Sequence, residues 1–194
     1  MGLEGMTIEE LNNDIYYLCY KTAEINACIV FYRQLIDIHH ETPEKYSKAT
    51  NFFNSVTSAY DYGIICNLFN ILDKKGEAGN IYILFKNVLK FIKSRDDVVL
   101  KRLEKCNDLL EEIEAQKPAI KMLRNKMFAH TDRKYYLKSG LLFKKASFDL
   151  KKFEELTKKI SAYLSELYSI LNNESMMFST NLCSRYDLYN LIKE

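Results

Sequence analysis

The residue types best suited to phosphoryl chemistry fall together in one short stretch, Leu123-Arg124-Asn125-Lys126-Met127-Phe128-Ala129-His130-Thr131-Asp132. His130 is one of three histidines in the chain. Its unperturbed pKa of ~6.5 lets an imidazole act as base or acid near neutral pH. Arg124 can grip phosphoryl oxygens through its planar fork of N–H donors. Asn125 would orient His130 or a phosphate oxygen, and Lys126 would add positive field. Asp132 has two readings: it orients the imidazole, or it caps the following turn. The structural alternative for the pair is that Arg124 meets an acid across a helix interface and His130 closes a helix through a hydrogen bond.

Helical winding at about 100° per residue puts Ile120, Leu123 and Met127 on one stripe, with Arg124 and His130 flanking it on opposite sides. The two are then separated by about 9 Å along the axis. Ala129 leaves room beside the histidine for a backbone or a ligand. The surroundings are basic: from Lys117 to Lys159 there are thirteen Lys or Arg against four Asp or Glu, in a chain whose net charge is only +2. Such an excess attracts a polyanion such as RNA, although lysines on exposed helix faces also serve solubility.

The elements that must hold this stretch are helices. With 47% hydrophobic residues but only six Gly and two Pro in 194 positions, the chain has few places to turn. Thr7 and Glu10 form a capping box that opens a first helix to about Ile38. The sequence His39-His40-Glu41-Thr42-Pro43 is expected to break it, the histidine pair being a polar turn. A second helix is expected from Pro43 to Leu72, with Phe52 or Phe53, Val56, Tyr60, Ile64, Leu68 and Ile71 inward and Asn51, Asn54, Ser58 and Asp61 as a polar stripe. Asp73 to Gly79 reads as a loop, and Asn80 caps a third helix ending near Ser94. A fourth starts at Asp96 or Asp97 and meets Pro118, where it bends or restarts. Arg133 to Ala146 reads as a basic, aromatic loop or hairpin-like excursion. Ser147 or Asp149 caps a fifth helix to about Asn172, and a short helix is expected from about Ser184 to Ile192. The expectation is an all-α, up-and-down bundle of about five main helices in a single domain over 1–194, with its core at 7–172 and an extension at 173–194.

Several classes of function find no support. The five cysteines are scattered and odd in number, as in reduced thiols of a cytoplasmic protein, and they lack the spacing of a zinc site. The acidic N-terminus has neither the basic nor the apolar region of a signal peptide, and no stretch reads as a membrane span. No phosphate-binding glycine loop, HExxH, nucleophile motif or carboxylate pair competes. No metal and no cofactor is expected.

Arg124-Asn125-x4-His130, late in an all-helical chain and followed by Asp132, resembles the Arg-x(4 to 6)-His signature of the HEPN superfamily. The form Leu-Arg-Asn-Lys-x-x-Ala-His-x-Asp looks most like its abortive-infection, AbiU2-type branch. A helix ending Leu68-Phe69-x-x-Leu72-Asp73, a polar loop and a helix from Asn80 are similar to the segment preceding the motif there, so the likeness covers roughly residues 50 to 172. The resemblance implies a HEPN-like bundle that dimerises and brings two motifs into one cleft. It also implies a metal-independent endoribonuclease, a toxin or phage-defence effector, with Arg124, His130 and Asn125 catalytic and Lys126, Asp132, Arg133, Tyr135 and Tyr136 touching RNA. Such cleavage needs a base for the 2′-OH, an acid for the leaving 5′ oxygen and a cation for the phosphorane. One chain offers one such histidine, and a two-fold dimer offers two. Some family toxins carry, two residues after the histidine, a tyrosine to which a nucleotidyltransferase-type antitoxin attaches AMP. Asp132 stands there, with Tyr135 and Tyr136 further on. The alternative reading is a non-catalytic HEPN-like dimer serving as an RNA- or nucleotide-binding or protein-interaction module.

Overall fold

Thr7 accepts a hydrogen bond from the Glu10 backbone while the Glu10 carboxylate accepts one from Thr7, so two orphan donors are satisfied where the first helix begins. In the computed structural model, which describes residues 6–74, 79–92, 96–129 and 139–176, that helix, α1, runs Ile8–Glu41. It passes through the histidine pair, and Thr42 ends it by returning its N–H to the Ile38 carbonyl. His39 and His40 therefore form the last turn of α1 and not a break after Ile38.

The expected second helix is two. A short α2 (Pro43–Lys48) stops at Ala49, whose backbone leaves the helical region, and α3 (Thr50–Ile71) follows. Phe53 takes the inward position and Phe52 is exposed. Asn80 accepts hydrogen bonds from the N–H groups of Tyr82 and Ile83 and starts α4 (Ile81–Phe91). Asp96 caps α5 (Asp97–Glu114), and the chain restarts as α6 (Lys117–Arg124) with Pro118 in its first turn, where a missing N–H costs nothing. A five-residue π-helical turn, Asn125–Ala129, continues from α6. Part of the expected loop is helical: α7 spans Ser139–Ala146, its lysines at the C-terminal end where the dipole favours them. Asp149, not Ser147, caps α8 (Leu150–Asn172), which ends on Asn173 in the left-handed conformation. Among the described residues, the five helices of eleven residues or more, α1, α3, α4, α5 and α8, match the expected main set, and there is no strand. The expected helix from Ser184 lies outside the described residues.

Side-chain pairs give the directions. Phe31 stacks on Tyr60 with centroids 5.9 Å apart, and Gly63 lies against the Cys28 sulfur, so α1 and α3 are antiparallel. Asn12 and Asn172 exchange hydrogen bonds of 3.0 and 2.9 Å, while Arg33 pairs with Glu154, so α8 is antiparallel to α1. Arg102 to Glu166 at 2.7 Å and Lys159 to Glu112 at 2.5 Å set α5 against α8 in the same sense. One apolar cluster runs through these helices, from Leu11, Ile15 and Leu18 of α1 to Ile160, Leu164 and Leu167 of α8, and takes in Ile120 and Leu123 of α6. A smaller cluster of Leu35, Ile38 and Phe53 closes the far end of α1 on α3. Gly79 sits at φ +72°, with Tyr17 Cε1 2.8 Å from where a Cβ would stand, so both the backbone and the space call for glycine in the turn before α4. No helix among the described residues is long and apolar enough to cross a membrane.

Asp61 departs from its expected place on a polar stripe. Asn51, Asn54 and Ser58 are exposed as expected, but Asp61 is half-buried, and burial pushes its carboxyl up to about 7. Between the ordinary carboxylate range and pH 7 the folded chain keeps a proton that the unfolded chain has released, so this group's contribution falls as pH rises through that window. Asp61→Asn removes the cost of the buried charge. Thermal unfolding at pH 8 is expected to show the variant a few degrees above wild type, at about 2–4 °C per kcal/mol for a chain of this size, with the gap closing toward pH 4. A gap independent of pH would refute this account.

Candidate functional site

The site is built where α6 lies on α3. Ile120 and Leu123 are fully buried in the main cluster, and a stripe of that spacing leaves Arg124 at its rim. There the guanidinium lies over the ring of Phe69 on α3, with Cζ 4.4 Å from the centroid. Its Nη1 donates to Oδ1 of the adjacent Asn125 at 3.0 Å. No carboxylate among the described residues pairs with it. The acid-paired structural alternative for Arg124 is therefore not what the described residues form. An arginine has five N–H donors, and a ring face uses none of them, so most of the fork is available to an anion.

The cations that join α1, α5 and α8 behave differently. Arg102 pairs with Glu166 and also donates to Ser169 Oγ at 2.8 Å, Arg33 pairs with Glu154, and Lys159 with Glu112. Arg124 stands out against that pattern. Its field reaches α3: burial pushes the Cys66 thiol up, while a hydrogen bond with Tyr62 and the Arg124 charge pull it down. Tyr62, Cys66 and Phe69 are spaced along one face of α3, and Arg124 lies over the Phe69 end of it.

Asn125 opens the π-helical turn, and this changes the expected winding. In a π turn the backbone bonds reach five residues instead of four, so each residue turns the chain through a smaller angle than in an α-helix. Uniform α winding therefore gives way at Asn125–Ala129, and the expected placing of His130 opposite Arg124 lies outside the described residues. Single π turns inside helices are frequent at functional sites. Met127 packs against the main cluster as expected, and Lys126 is exposed on the turn. The structure thus brings Arg124 and Asn125 together. His130, Asp132, Arg133, Tyr135 and Tyr136 lie outside the described residues.

A family model for AbiU2 HEPN proteins matches residues 6–185. The chain belongs to the AbiU2 HEPN family. Neither a curated protein nor a solved structure matches it. The AbiU2 match embraces every described element, from the capping box of α1 to the end of α8, and it makes this an abortive-infection-type HEPN domain. Among the described residues of this AbiU2 chain, no group of three His, Cys, Asp or Glu side chains is gathered as for a metal ion. Sequence reasoning missed Phe69 as part of the site, although it singled out the segment Leu68-Phe69-x-x-Leu72-Asp73. Fifty-five positions separate Phe69 from Arg124, and no periodicity joins two helices that far apart in the chain.

The electrostatic link between Arg124 and Cys66 can be read by alkylation. Arg124→Gln removes a charge that favours the thiolate, so iodoacetamide should modify Cys66 more slowly in the variant at pH 8, by mass spectrometry of the Cys66 peptide. An unchanged or faster rate would contradict the placement of the guanidinium.

Proposed function

We propose that this AbiU2-family chain is a metal-independent endoribonuclease, acting in the cytoplasm as a toxin or phage-defence effector. The observation that carries the reading is Arg124: a guanidinium seated on Phe69, held by Asn125, and without a carboxylate among the described residues. An unneutralised fork at the edge of a helix contact has the chemistry to receive a phosphoryl group whose negative charge grows during reaction.

In the proposed reaction a base takes the 2′-OH proton and the 2′ oxygen attacks the adjacent phosphorus. The P–O5′ bond then breaks, and the 5′ oxygen leaves with a proton from an acid. The products are a 2′,3′-cyclic phosphate and a free 5′-OH. His130, directly after the π turn, serves as base or acid, and a two-fold homodimer supplies the second imidazole from its other copy. Arg124 and Asn125 hold the non-bridging oxygens, with Lys126, Asp132, Arg133, Tyr135 and Tyr136 as RNA contacts. A nucleotidyltransferase-type antitoxin is the proposed protein partner.

RNA cleavage in EDTA tests this. Wild type is expected to cut and to leave cyclic-phosphate ends. His130→Ala should lose about 10²–10⁴-fold in kcat/KM, as for loss of a general acid–base group. Arg124→Ala should lose about 10²–10³-fold, as for loss of a transition-state donor. Phe69→Leu keeps an apolar side chain but removes the ring face, and a cation–π contact of about 1 kcal/mol predicts a roughly five-fold loss with little change in Tm. Equal cleavage by wild type and His130→Ala, or activity abolished by the chelator, would overturn the proposal.

A further inference from the structure

Lys117 repeats the arrangement of Arg124 one stretch earlier on the same helix. Its Nζ lies 5.6 Å from the centroid of the Tyr82 ring on α4, and no carboxylate among the described residues pairs with it. Lys74, at the end of α3, places its Nζ 4.7 Å from the same centroid while also pairing with Glu114. Lys117, Lys121 and Arg124 stand at i, i+4 and i+7, which puts all three on one face of α6. That face borders the buried Ile120 and Leu123, so its two ends meet the aromatic rings of α4 and α3.

We propose that this face of α6 is a single-strand RNA track: Lys117 on Tyr82 and Arg124 on Phe69 are two cations held by rings instead of acids, with Lys121 between them. The proposal rests on the ribonuclease reading of the Arg124 site and specifies how its substrate lies. Seven residues of α-helix separate Lys117 and Arg124 by about 10.5 Å. A stacked strand rises about 3.4 Å per nucleotide, so the two cations are about three nucleotides apart. Aromatic rings beside a cationic path are the usual makeup of a groove that follows a single strand without reading its sequence. Asp73 and Glu114 are the acids at the Lys74 end, and the Lys74–Glu114 pair makes that lysine the weaker contributor. The track therefore runs from Arg124 through Lys121 and stops at Lys117. A ring holds an ammonium in place without cancelling its charge, whereas an ion pair does both. That difference is what leaves Lys117 and Arg124 as sites for phosphates while Arg102 and Arg33 serve the bundle.

The test is the salt dependence of RNA binding, measured in the His130→Ala background with EDTA so that it reads binding alone. The ligands are a fluorescein-labelled 12-nucleotide RNA, followed by anisotropy, and a dinucleotide, followed by its displacement of that RNA. Loss of two phosphate contacts lowers the slope of log K against log salt by about 1.4 for a single strand. Lys117→Gln/Lys121→Gln should show that loss with the 12-nucleotide RNA and none with the dinucleotide, whose one phosphate occupies Arg124. The control Lys101→Gln/Lys105→Gln removes the same charge from exposed positions toward the start of α5 and should leave the slope unchanged. Matching Tm values confirm that both variants fold. An unchanged slope in Lys117→Gln/Lys121→Gln, an equal loss in the control, or an equal loss with the dinucleotide overturns the track. Equal weakening toward polyglutamate reassigns the stripe to acidic protein partners and likewise overturns it. Absence of cleavage by wild type overturns the catalytic reading alone, because the binding slope does not depend on His130.

Discussion

The seating of α6 on α3 is the contact on which the candidate site depends. Ile120 and Leu123 are fully withdrawn from water, and fully burying an aliphatic side chain of this size contributes about 1.5–3 kcal/mol. This apolar grip is what turns the next residue into a fixed cation. The buried Leu123 fixes the backbone beside it, so Arg124 leaves α6 at the α3 surface, where its guanidinium lies over Phe69 and not against an acid among the described residues. The same seating aligns Lys117 with the start of α4, since a helix of eight residues anchored by two core side chains has little freedom to roll.

Charge is used in two ways in this bundle. Between α1, α5 and α8, cations are spent in ion pairs that join antiparallel helices: Arg33 with Glu154, Arg102 with Glu166, Lys159 with Glu112. These are partly exposed pairs, each of modest worth, and their directional value is to hold register between helices already glued by Leu and Ile. On α6, Lys117 and Arg124 lie over rings, which keeps their charge in play. Asp61 is the opposite case, a half-buried acid on α3 with no cation paired to it among the described residues, and burial raises its carboxyl to about 7.

Helix existence was legible because it depends on local signals. The Thr7–Glu10 box, Asn80, Asp96 and Asp149 all act within three residues of themselves, and each starts a helix as its spacing implies. Helix ends and breaks were less legible. Nothing local at Ala49 forces α2 and α3 apart, and His39-His40 continue α1 because histidine is tolerated in a last turn. The loop expected up to Ala146 conceals α7, whose Leu142 is fully buried against the main cluster, so tertiary burial supplied what its short, lysine-rich sequence did not announce.

The sequence by itself determined the all-helical class, the stripe Ile120-Leu123-Met127 and the family motif, because each is a pattern of near neighbours along one chain segment. What it left open was the environment of Arg124. Whether an arginine beside a buried stripe finds an acid, a ring or water depends on which residue of a distant helix lies opposite, and Phe69 became that residue only when α6 packed on α3. The π turn after Arg124 belongs to the same category: it redirects the chain after Asn125 through backbone hydrogen bonds that no residue type in Asn125–Ala129 prescribes. Side-chain chemistry was written in the chain, and the availability of that chemistry to a ligand was decided by packing.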